Sequence, residues 1–285
     1  MEVDSSTRLC CLIGHPVKHS VSPQMHNAAF KELGLNCIYL VFDVLEESLG
    51  EAVNGLRSIG VLGFNVTIPH KIRIIKFLDE LDGSAKLVKA VNTVIRRDDK
   101  LIGYNTDLYG IERVLREVDE LNRDLGLIIG AGGAGRASAI ALTNLGFSEI
   151  IIANRTFERA SNLAEQILEL GFSAKPIPLT DLPRYASSAN LIINATPLGM
   201  APSLISETPL KRDHIRRNSI VLDLVYNPLR TRLLIEAERA GACTISGLKV
   251  LAAQGAEAFK LWTGIDPPID VMYSAALKAL RGEKI

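Results

Sequence analysis

The sequence LGLIIGAGGAGRA at residues 125–137 decides the fold. It places a G-x-G-x-x-G pattern, made by Gly130, Gly132 and Gly135, between an apolar strand-like run and an alanine-rich helix-like run. In such a strand–turn–helix unit, the first glycine permits the tight turn and the second lets the backbone approach a pyrophosphate. The third lets helix and strand pack closely, and the N-terminus of the helix favours negative charge. Three glycines can also simply make a turn, but this context favours a dinucleotide-binding unit.

The next strand-like run indicates which dinucleotide is bound. In NAD-binding proteins this strand usually ends in Asp or Glu, which holds the ribose 2′-hydroxyl. Here the run ends in Asn154 and Arg155, and Arg159 follows one helical turn later. A guanidinium can bind a 2′-phosphate through two hydrogen bonds, whereas a carboxylate would repel it. The sequence therefore favours NADP over NAD; the alternative is that both arginines are solvated surface residues.

Outside this unit, short apolar or β-branched runs alternate with longer amphipathic runs. The strand-like runs lie at residues 9–13, 38–44, 63–67, 127–129, 149–153, 191–194 and 220–224. The helix-like runs lie at residues 22–33, 46–58, 108–118, 133–145, 157–170, 230–240 and 247–281. Such alternation predicts an α/β protein with βαβ units and mainly parallel sheets. The residues before the glycine-rich unit are numerous enough for a separate domain, and we place its boundary near Asp107.

Composition excludes several classes of protein. Lys plus Arg and Asp plus Glu number 32 each, so the net charge gives no overall attraction to nucleic acid or an anionic membrane. The N-terminal MEVDSSTR lacks the layout of a signal peptide, and no apolar run approaches the roughly 20 residues that span a bilayer. Cys10, Cys11, Cys37 and Cys243 show no CxxC pair and no metal-ligand spacing. We therefore expect free thiols, a cytoplasmic location, and no nucleic-acid or membrane partner.

Polar residues of two segments before the glycine-rich unit are candidates for ligand binding. In GHPVKHSVSPQMHN, residues 14–27, Ser22 before Pro23 predicts a helix start with Ser22 as N-cap. The hydroxyls of Ser20 and Ser22 can also donate to a ligand carboxylate beside the positive helix end. In NVTIPHK, residues 65–71, Asn65 and Thr67 come at the end of a strand, where α/β sheets tend to place ligands.

Three further residues are ambiguous when taken alone. Lys71 follows a proline at a predicted helix start and has the sequence context of an ordinary solvated lysine. Asn92 in AVNTV, residues 90–94, and Asp107 in GYNTD, residues 103–107, are short polar residues that favour turns.

Taken together, nine stretches in order along nearly the whole chain resemble the shikimate dehydrogenase family: SVSPQMHN, NVTIPHK, AVNT, GYNTD, GAGGAGRA, ANRT, NATPLGM, DLVYNP and GLKVLAAQG. The resemblance implies an α/β fold of two domains. An N-terminal α/β substrate domain is completed by C-terminal helices, over residues 1–107 and 247–285, and a Rossmann-like NADP-binding domain covers residues 108–246. It also implies the reversible, NADP-dependent reduction of 3-dehydroshikimate to shikimate, a step towards chorismate and the aromatic amino acids.

The resemblance assigns roles residue by residue. Lys71 and Asp107 would form the catalytic pair, and Ser20 and Ser22 would hold the substrate carboxylate. The residues that would contact substrate hydroxyls or the ring are Asn65, Thr67, Asn92, Tyr226 and Gln254. The residues that would bind NADP are Gly130, Ala131, Gly132, Gly133, Ala134, Gly135, Asn154, Arg155, Thr156, Arg159, Thr196, Leu224 and Gly247.

The chain departs from the family's pattern at three positions. Lys89 stands where glycine usually precedes Ala-Val-Asn-Thr, and Val250 stands where methionine is common. Gly83 occupies a position that often carries an acidic residue near the cofactor. No departure removes a residue of the catalytic pair. Lys89 lies in the loop before Asn92, and Gly83 lies where the family contacts the cofactor.

The resemblance also suggests a mechanism. Reduction of a ketone builds negative charge on its oxygen, which the ammonium group of Lys71 would stabilise while Asp107 positions Lys71 and bonds a substrate hydroxyl. Pairing with Asp107 favours charged Lys71 and burial favours the neutral amine, so the sequence leaves the source of the proton open.

Three alternatives stay open at this stage. The chain could act on quinate as well as shikimate, since one extra hydroxyl needs only small changes in a pocket. It could be a non-catalytic NADP-binding sensor, although such a protein need not keep Lys71 and Asp107. His15, His19 and His26 could bind zinc, but the chain has no HExxH motif and we expect no metal. The expected partner is a small molecule, shikimate or 3-dehydroshikimate, and a homodimer is one option for the assembly.

Overall fold

A computed structural model of the chain describes residues 3–283, which form two compact units. The first unit comprises residues 3–110 and 252–283 of the described chain, and the second comprises residues 111–251. The predicted domain boundaries at residues 107 and 247 stay predictions.

The first unit contains a mixed six-stranded sheet. Its strands are β1 (Arg8–Gly14), β2 (Cys37–Asp43), β3 (Gly63–Val66), β4 (Glu80–Leu81), β5 (Thr93–Arg97) and β6 (Lys100–Tyr104), in the order β2-β1-β3-β5-β6-β4. β5 is antiparallel to both β3 and β6, and the remaining pairs are parallel. The helices of this part of the chain are α1 (Ser22–Glu32), α2 (Leu49–Ser58), α3 (Gly83–Val88) and α4 (Thr106–Arg116), the last of which runs on into the second unit.

The second unit contains an entirely parallel six-stranded sheet. Its strands are β7 (Leu125–Ile129), β8 (Glu149–Ala153), β9 (Ala174–Ile177), β10 (Leu191–Asn194), β11 (Ile220–Asp223) and β12 (Cys243–Ser246), in the order β12-β11-β10-β7-β8-β9. The helices are α5 (Gly133–Asn144), α6 (Phe157–Glu169), α7 (Leu182–Ala186) and α8 (Arg232–Ala240), followed by α9 (Gly247–Thr263) and α10 (Ile269–Leu280), which return the chain to the first unit. Counted from β7, this strand order is 3-2-1-4-5-6, the order of the dinucleotide-binding Rossmann fold. The predicted α/β fold class is confirmed.

Both cores form where apolar strand residues meet the apolar faces of helices. In the first unit, Val53 and Leu56 of α2 belong to the same buried cluster as Phe64 and Val66 of β3. In the second unit, a buried cluster includes residues of β8, β10 and β11 together with Leu233 of α8. Strands buried on both faces carry continuous apolar runs, and this is why those of the second unit could be recognised in the sequence.

The start of α1 differs from the prediction. Val21 rather than Ser22 is the N-cap, Ser22 is the first helical residue, and the N-cap side chain makes no capping hydrogen bond. The Oγ of Ser20 accepts a hydrogen bond of 3.2 Å from the Ser22 backbone N–H, one of the first-turn amides that have no partner within the helix.

Candidate active site

The carboxyl edge of β3 gathers three of the predicted site residues of the first unit. Asn65 lies near the end of β3, and its register partner is Thr93 at the start of the antiparallel strand β5. Thr93 in turn pairs with Tyr104, the last residue of β6. Because β5 begins where β3 and β6 end, Asn92 just before β5 and Asp107 just after β6 come to the same edge as Asn65.

Lys71 and Asp107 form an ion pair at this edge. Lys71 Nζ lies 2.5 Å from Asp107 Oδ2, and the two side chains are only 15% and 14% exposed. The Lys71 backbone is fixed as well, because its carbonyl oxygen accepts a 2.8 Å hydrogen bond from the Val91 N–H. Lys71 lies in a turn ahead of a short 3-10 helix, Arg73–Phe77. The pair is held at defined positions and keeps limited access to solvent.

Asn92 connects this ion pair to the rest of the site. Its Nδ2 donates to Asp107 Oδ1 at 2.9 Å, so both carboxylate oxygens of Asp107 are engaged. The same Nδ2 lies 3.0 Å from Thr106 Oγ1 and 3.1 Å from Gln254 Oε1. Its Oδ1 accepts a hydrogen bond of 2.6 Å from the Thr106 N–H. Gln254, on α9, is thereby tied to the residues that follow β6.

Asn65 belongs to the same network. Its Nδ2 donates to the carbonyl oxygen of Asn92 at 3.2 Å and to Thr93 Oγ1 at 3.0 Å, and its Oδ1 accepts from the Tyr39 hydroxyl at 2.7 Å. Thr93 Oγ1 lies 2.9 Å from Thr106 Oγ1, which closes the network. The structure therefore brings together five of the predicted residues, namely Lys71, Asp107, Asn65, Asn92 and Gln254.

The remaining predicted substrate contacts lie on other segments of the chain. Ser20 Oγ donates to Ser22 Oγ over 3.1 Å near the start of α1, so the two hydroxyls are adjacent as expected. Thr67 follows β3, with its methyl group against Gly14, where an added Cβ would lie 2.3 Å from it. Tyr226 belongs to the second unit, two residues beyond Leu224 in the loop after β11.

Sequence reasoning missed several buried polar residues of the site. Thr93 and Thr106 are 0% and 2% exposed, and they lie within AVNT and GYNTD. Tyr39 and His26 are fully buried and stack with ring centroids 4.4 Å apart. Burial lowers the pKa of His26 to about 3, so its imidazole is neutral. Tyr39 lies in an apolar run that gives no sign of a polar role.

The glycine-rich turn of the second unit has the geometry expected of its three glycines. Gly130 has φ of +111°, and an added Cβ would lie 2.8 Å from the Ala195 carbonyl oxygen. An added Cβ on Gly135 would lie 2.0 Å from the Gly130 carbonyl oxygen, so only glycine allows this approach of α5 to β7. At Gly132 an added Cβ would meet nothing within 4 Å, and this residue caps α5 without a side chain. The uncapped N-terminus of α5 is therefore open to an anion.

The loop after β8 is tied to this turn. Asn154 Oδ1 accepts a 3.2 Å hydrogen bond from the Ala131 N–H, and its Nδ2 donates to the Thr156 carbonyl oxygen at 2.8 Å. Arg155 and Arg159 are exposed, and among residues 3–283 no ion pair is formed by either side chain. Both guanidinium groups remain available to an anion beside the loop.

The loops after β10 and β11 are joined by buried hydrogen bonds. Asn194 Oδ1 accepts from Thr196 Oγ1 at 2.6 Å, while Asn194 Nδ2 donates to Asp223 Oδ1 at 2.9 Å. Asp223 Oδ2 accepts from Thr231 Oγ1 at 2.5 Å. Burial raises the pKa of Asp223 to about 6, although its three hydrogen-bond donors act in the opposite direction. The network holds the loop of Thr196 beside the loop of Leu224.

Gly247 lies in the same region, at the start of α9. An added Cβ there would lie 2.5 Å from the Leu224 carbonyl oxygen and 2.6 Å from that of Asp223, so a side chain would displace the loop after β11.

Two further observations concern metal binding and membrane-spanning helices. In the part of the chain that the structure describes, no group of three His, Cys, Asp or Glu residues could hold a metal ion. His15 is instead paired with Asp43, with Nδ1 2.5 Å from Oδ1. Within residues 3–283, no helix has the length and apolar character needed to cross a membrane.

Three family models match successive parts of the chain. Residues 12–94 match the shikimate dehydrogenase substrate binding domain, residues 112–225 match shikimate / quinate 5-dehydrogenase, and residues 247–277 match the shikimate 5′-dehydrogenase C-terminal domain. A shikimate dehydrogenase (NADP(+)) of Methanopyrus kandleri is 49% identical over 99% of each chain. The chain belongs to the shikimate dehydrogenase family.

Solved structures of shikimate dehydrogenases have the same fold. One, crystallised in complex with NADP+, is 45% identical, covers 98% of each chain and superposes with a TM-score of 0.89. Another, from Thermus thermophilus in complex with NADP(H) and shikimate, is 38% identical with a TM-score of 0.85, over 95% of this chain and 99% of that chain.

The backbone shows why glycine is usual at one position where this chain departs from the family's pattern. Lys89, which replaces the usual glycine, is the C-cap of α3 and has a left-handed φ of +55°. Glycine adopts this conformation without steric cost, whereas a residue with a Cβ does not. Gly83 starts α3, and an added Cβ there would meet nothing within 4 Å, so space does not explain the absence of an acidic side chain. For Val250, which is buried, the structure offers no reason for the change.

Proposed function

We propose that this chain catalyses the reversible, NADP-dependent reduction of 3-dehydroshikimate to shikimate, a step in the biosynthesis of chorismate and aromatic amino acids. The observation that carries the proposal is the ion pair of Lys71 and Asp107, 2.5 Å apart and mostly buried beside Asn92 and Gln254. A lysine and a carboxylate held at a strand edge, next to amides that bind hydroxyl groups, suit a polyhydroxylated substrate that gains charge on one oxygen.

In this proposal, the residues of the first unit have different roles in catalysis and substrate binding. The ammonium group of Lys71 donates a hydrogen bond to the substrate oxygen on which negative charge develops. Asp107 holds Lys71 through Oδ2 while Asn92 holds Oδ1, so the lysine is oriented before substrate binds. The Ser20 and Ser22 hydroxyls bind the substrate carboxylate, and the residues that contact its hydroxyls or ring are Asn65, Thr67, Asn92, Asp107, Tyr226 and Gln254.

The residues of the second unit fit NADP. When bound, NADPH supplies the hydride that reduces the ketone. The uncapped N-terminus of α5 and the open space at Gly132 suit the pyrophosphate, and the exposed Arg155 and Arg159 suit the 2′-phosphate. The full set of residues proposed to hold the cofactor is Gly130, Ala131, Gly132, Gly133, Ala134, Gly135, Asn154, Arg155, Thr156, Arg159, Thr196, Leu224 and Gly247.

The activity is tested with purified protein, by following the absorbance of reduced cofactor. Four mixtures are needed: shikimate or quinate, each with NADP+ or NAD+. We expect turnover with shikimate and NADP+, and silence in all four mixtures would reject the proposed function. Quinate is included because the model that matches residues 112–225 is described for shikimate and quinate alike.

The role of the ion pair is tested by Lys71→Ala. Loss of the ammonium group should lower kcat by about 100- to 10,000-fold, while the Kd for NADP+ changes little. Lys100→Ala is the matched control, because Lys100 also forms an ion pair in the first unit, with Glu80, but its side chain is 60% exposed. A near-normal kcat in Lys71→Ala would reject the catalytic role of Lys71.

We further propose a homodimer in the cytoplasm. β2 forms one edge of its sheet, and Leu40 and Phe42 on this strand are 40% and 38% exposed, which supports pairing with a second copy. All four cysteines are free thiols, as suits a reducing compartment. Light scattering after size exclusion should give twice the chain mass, and Phe42→Glu should give the monomer. A wild-type monomer at micromolar concentration would contradict the dimer.

A further inference from the structure

Tyr39 is a fully buried tyrosine whose hydroxyl contacts a residue of the proposed substrate site. The hydroxyl donates a 2.7 Å hydrogen bond to Asn65 Oδ1, and the side chain is 0% exposed. Tyr39 lies on β2, which is separated from β3 by β1, so its side chain crosses beneath a neighbouring strand to reach Asn65.

The position of the Tyr39 side chain is fixed from several directions. Asn27 of α1 binds the backbone of Tyr39 on both sides: its Oδ1 accepts from the Tyr39 N–H at 2.8 Å and its Nδ2 donates to the Tyr39 carbonyl oxygen at 3.0 Å. The ring stacks on His26 with an interplanar angle of 14° and lies 6.0 Å from the ring of Trp262. Trp262 is itself anchored by a 3.0 Å hydrogen bond to the Val94 carbonyl oxygen. The hydroxyl is therefore presented to Asn65 at a defined place.

The orientation of the Asn65 amide follows from its other partners. The Asn92 carbonyl oxygen, 3.2 Å away, can only accept a hydrogen bond, so the amide NH2 of Asn65 must face it. Thr93 Oγ1 takes the second N–H at 3.0 Å. Both donors of Asn65 are thus used within the protein, and Oδ1 already accepts from Tyr39. The only hydrogen-bonding capacity left on the Asn65 side chain is the second lone pair of Oδ1.

We infer that Tyr39 is a positioning residue: its hydroxyl holds Oδ1 of Asn65 in place, and Asn65, whose N–H groups are both used, is a contact selective for a substrate hydroxyl that donates. A ketone cannot donate, so the contacted hydroxyl is one that substrate and product both retain. This inference rests on the proposed function, because it takes Asn65 to line the substrate site.

The test is Tyr39→Phe, which removes only the buried hydroxyl. We expect KM for shikimate to rise about 5- to 20-fold, as for loss of one buried hydrogen bond, with kcat and the Kd for NADP+ nearly unchanged. Tyr273→Phe is the matched control, because Tyr273 lies on α10 of the same unit and, within residues 3–283, takes no part in the hydrogen bonds of the site. An unchanged KM in Tyr39→Phe would overturn the inference.

Deoxy analogues of shikimate separate positioning from general loosening. Each analogue lacks one hydroxyl that does not react. The penalty of Tyr39→Phe should persist for the analogue that keeps the hydroxyl bound by Asn65 and disappear for the analogue that lacks it. An equal penalty for every analogue would mean that the substitution only loosens the fold, and would overturn the inference.

A double-mutant cycle tests whether Tyr39 acts through Asn65. In an Asn65→Ala background, Tyr39→Phe should raise KM no further, and an additive penalty would contradict the inference. Thermal melting of each variant checks that it is folded. An inactive wild type would reject the proposed function itself, whereas an active wild type with a normal Tyr39→Phe variant would reject only the role of Tyr39.

Discussion

The side-chain amide of Asn92 has two N–H groups but three hydrogen-bond acceptors within reach. Its Nδ2 lies within 3.1 Å of three acceptors, on Thr106, Asp107 and Gln254, so one N–H is shared between two of them. A substrate hydroxyl that accepted from this amide would displace one of these bonds. Asn92 therefore has a structural task in addition to the substrate contact proposed for it: it holds one oxygen of the Asp107 carboxylate while Lys71 holds the other.

The proposed preference for NADP over NAD also rests on single residues. Arg155→Ala should weaken NADPH binding by about 10- to 100-fold, because two charge-assisted hydrogen bonds to the 2′-phosphate are lost. NADH binding should change by less than about 2-fold, because its ribose carries no phosphate for the guanidinium to bind. Fluorescence titration of both cofactors measures the two affinities.

A control for this prediction lies at the opposite end of the glycine-rich unit. Arg123 is exposed and precedes β7, whereas Arg155 follows β8, so the two arginines are at opposite edges of the sheet. Arg123→Ala should leave both affinities unchanged. Equal losses of NADPH and NADH in Arg155→Ala would show that this residue does not select the cofactor.

The sequence predicts some residues of the site and not others, for a physical reason. Lys71 and Asp107 lie in short recognisable motifs, and the structure brings them together. Thr93 and Tyr39 have no such signal, because their polar roles exist only once β2, β3 and β5 are paired. The bond from Asn92 to Gln254 joins residues 162 positions apart, so no local pattern could indicate it.

At the scale of the element, the end of α3 carries unrelieved backbone strain. Lys89 is its C-cap with φ of +55°, a conformation that costs a residue with a Cβ roughly 1–2 kcal/mol. Lys89→Gly should remove this cost and, after the extra entropy of glycine in the unfolded chain, raise the free energy of unfolding by about 0.5–1 kcal/mol. Chemical denaturation measures the change.

The control for this prediction lies in the same helix. Lys86 is exposed and within α3, so Lys86→Gly should lower the free energy of unfolding by about 1 kcal/mol. Destabilisation by both glycines would contradict the account of Lys89.

The elements that the sequence did not predict are short or polar. The hairpin of β5 and β6 includes the charged run RRDDK at residues 96–100, which has the composition of a surface loop. Its turn consists of Asp98 and Asp99 with φ of +50° and +62°, the backbone of a type I′ turn that Asn-Gly would have signalled. β9 contains Pro176 and spans four residues, which weakens its pattern as a strand. Long apolar strands and amphipathic helices, by contrast, were predicted to within a few residues, except that the predicted helical run 247–281 forms two helices, Gly247–Thr263 and Ile269–Leu280.

At the scale of the whole molecule, each unit contains a buried ionisable group whose contribution to stability depends on pH. His26 in the first unit has both ring nitrogens buried without a hydrogen-bond partner among the described residues, and burial lowers its pKa to about 3. Asp223 in the second unit is buried among hydrogen-bond donors, and burial raises its pKa to about 6. The two shifts act on stability in opposite directions.

The signs follow from the protons bound by folded and unfolded chains. Unfolded His26 takes a proton below its ordinary pKa of 6.5 while the folded residue does not, so its contribution to stability is present above that pH and is lost as pH falls towards 3. Unfolded Asp223 loses its proton above its ordinary pKa of 3.8 while the folded residue keeps it, so its contribution is present at lower pH and is lost as pH rises through about 6.

Between about pH 4 and pH 6, we therefore expect opposite slopes when each variant is compared with wild type. The free energy of unfolding of wild type minus that of His26→Phe should rise with pH by roughly 1.4 kcal/mol per pH unit, and the same difference for Asp223→Asn should fall by up to that amount. Trp262, the single tryptophan, has its ring 5.2 Å from that of His26, so its fluorescence follows the first unit, while amide hydrogen exchange in β11 follows the second. Slopes of the same sign in both variants would contradict these two pKa shifts. Opposite signs are expected because folded His26 resists protonation, whereas folded Asp223 retains its proton.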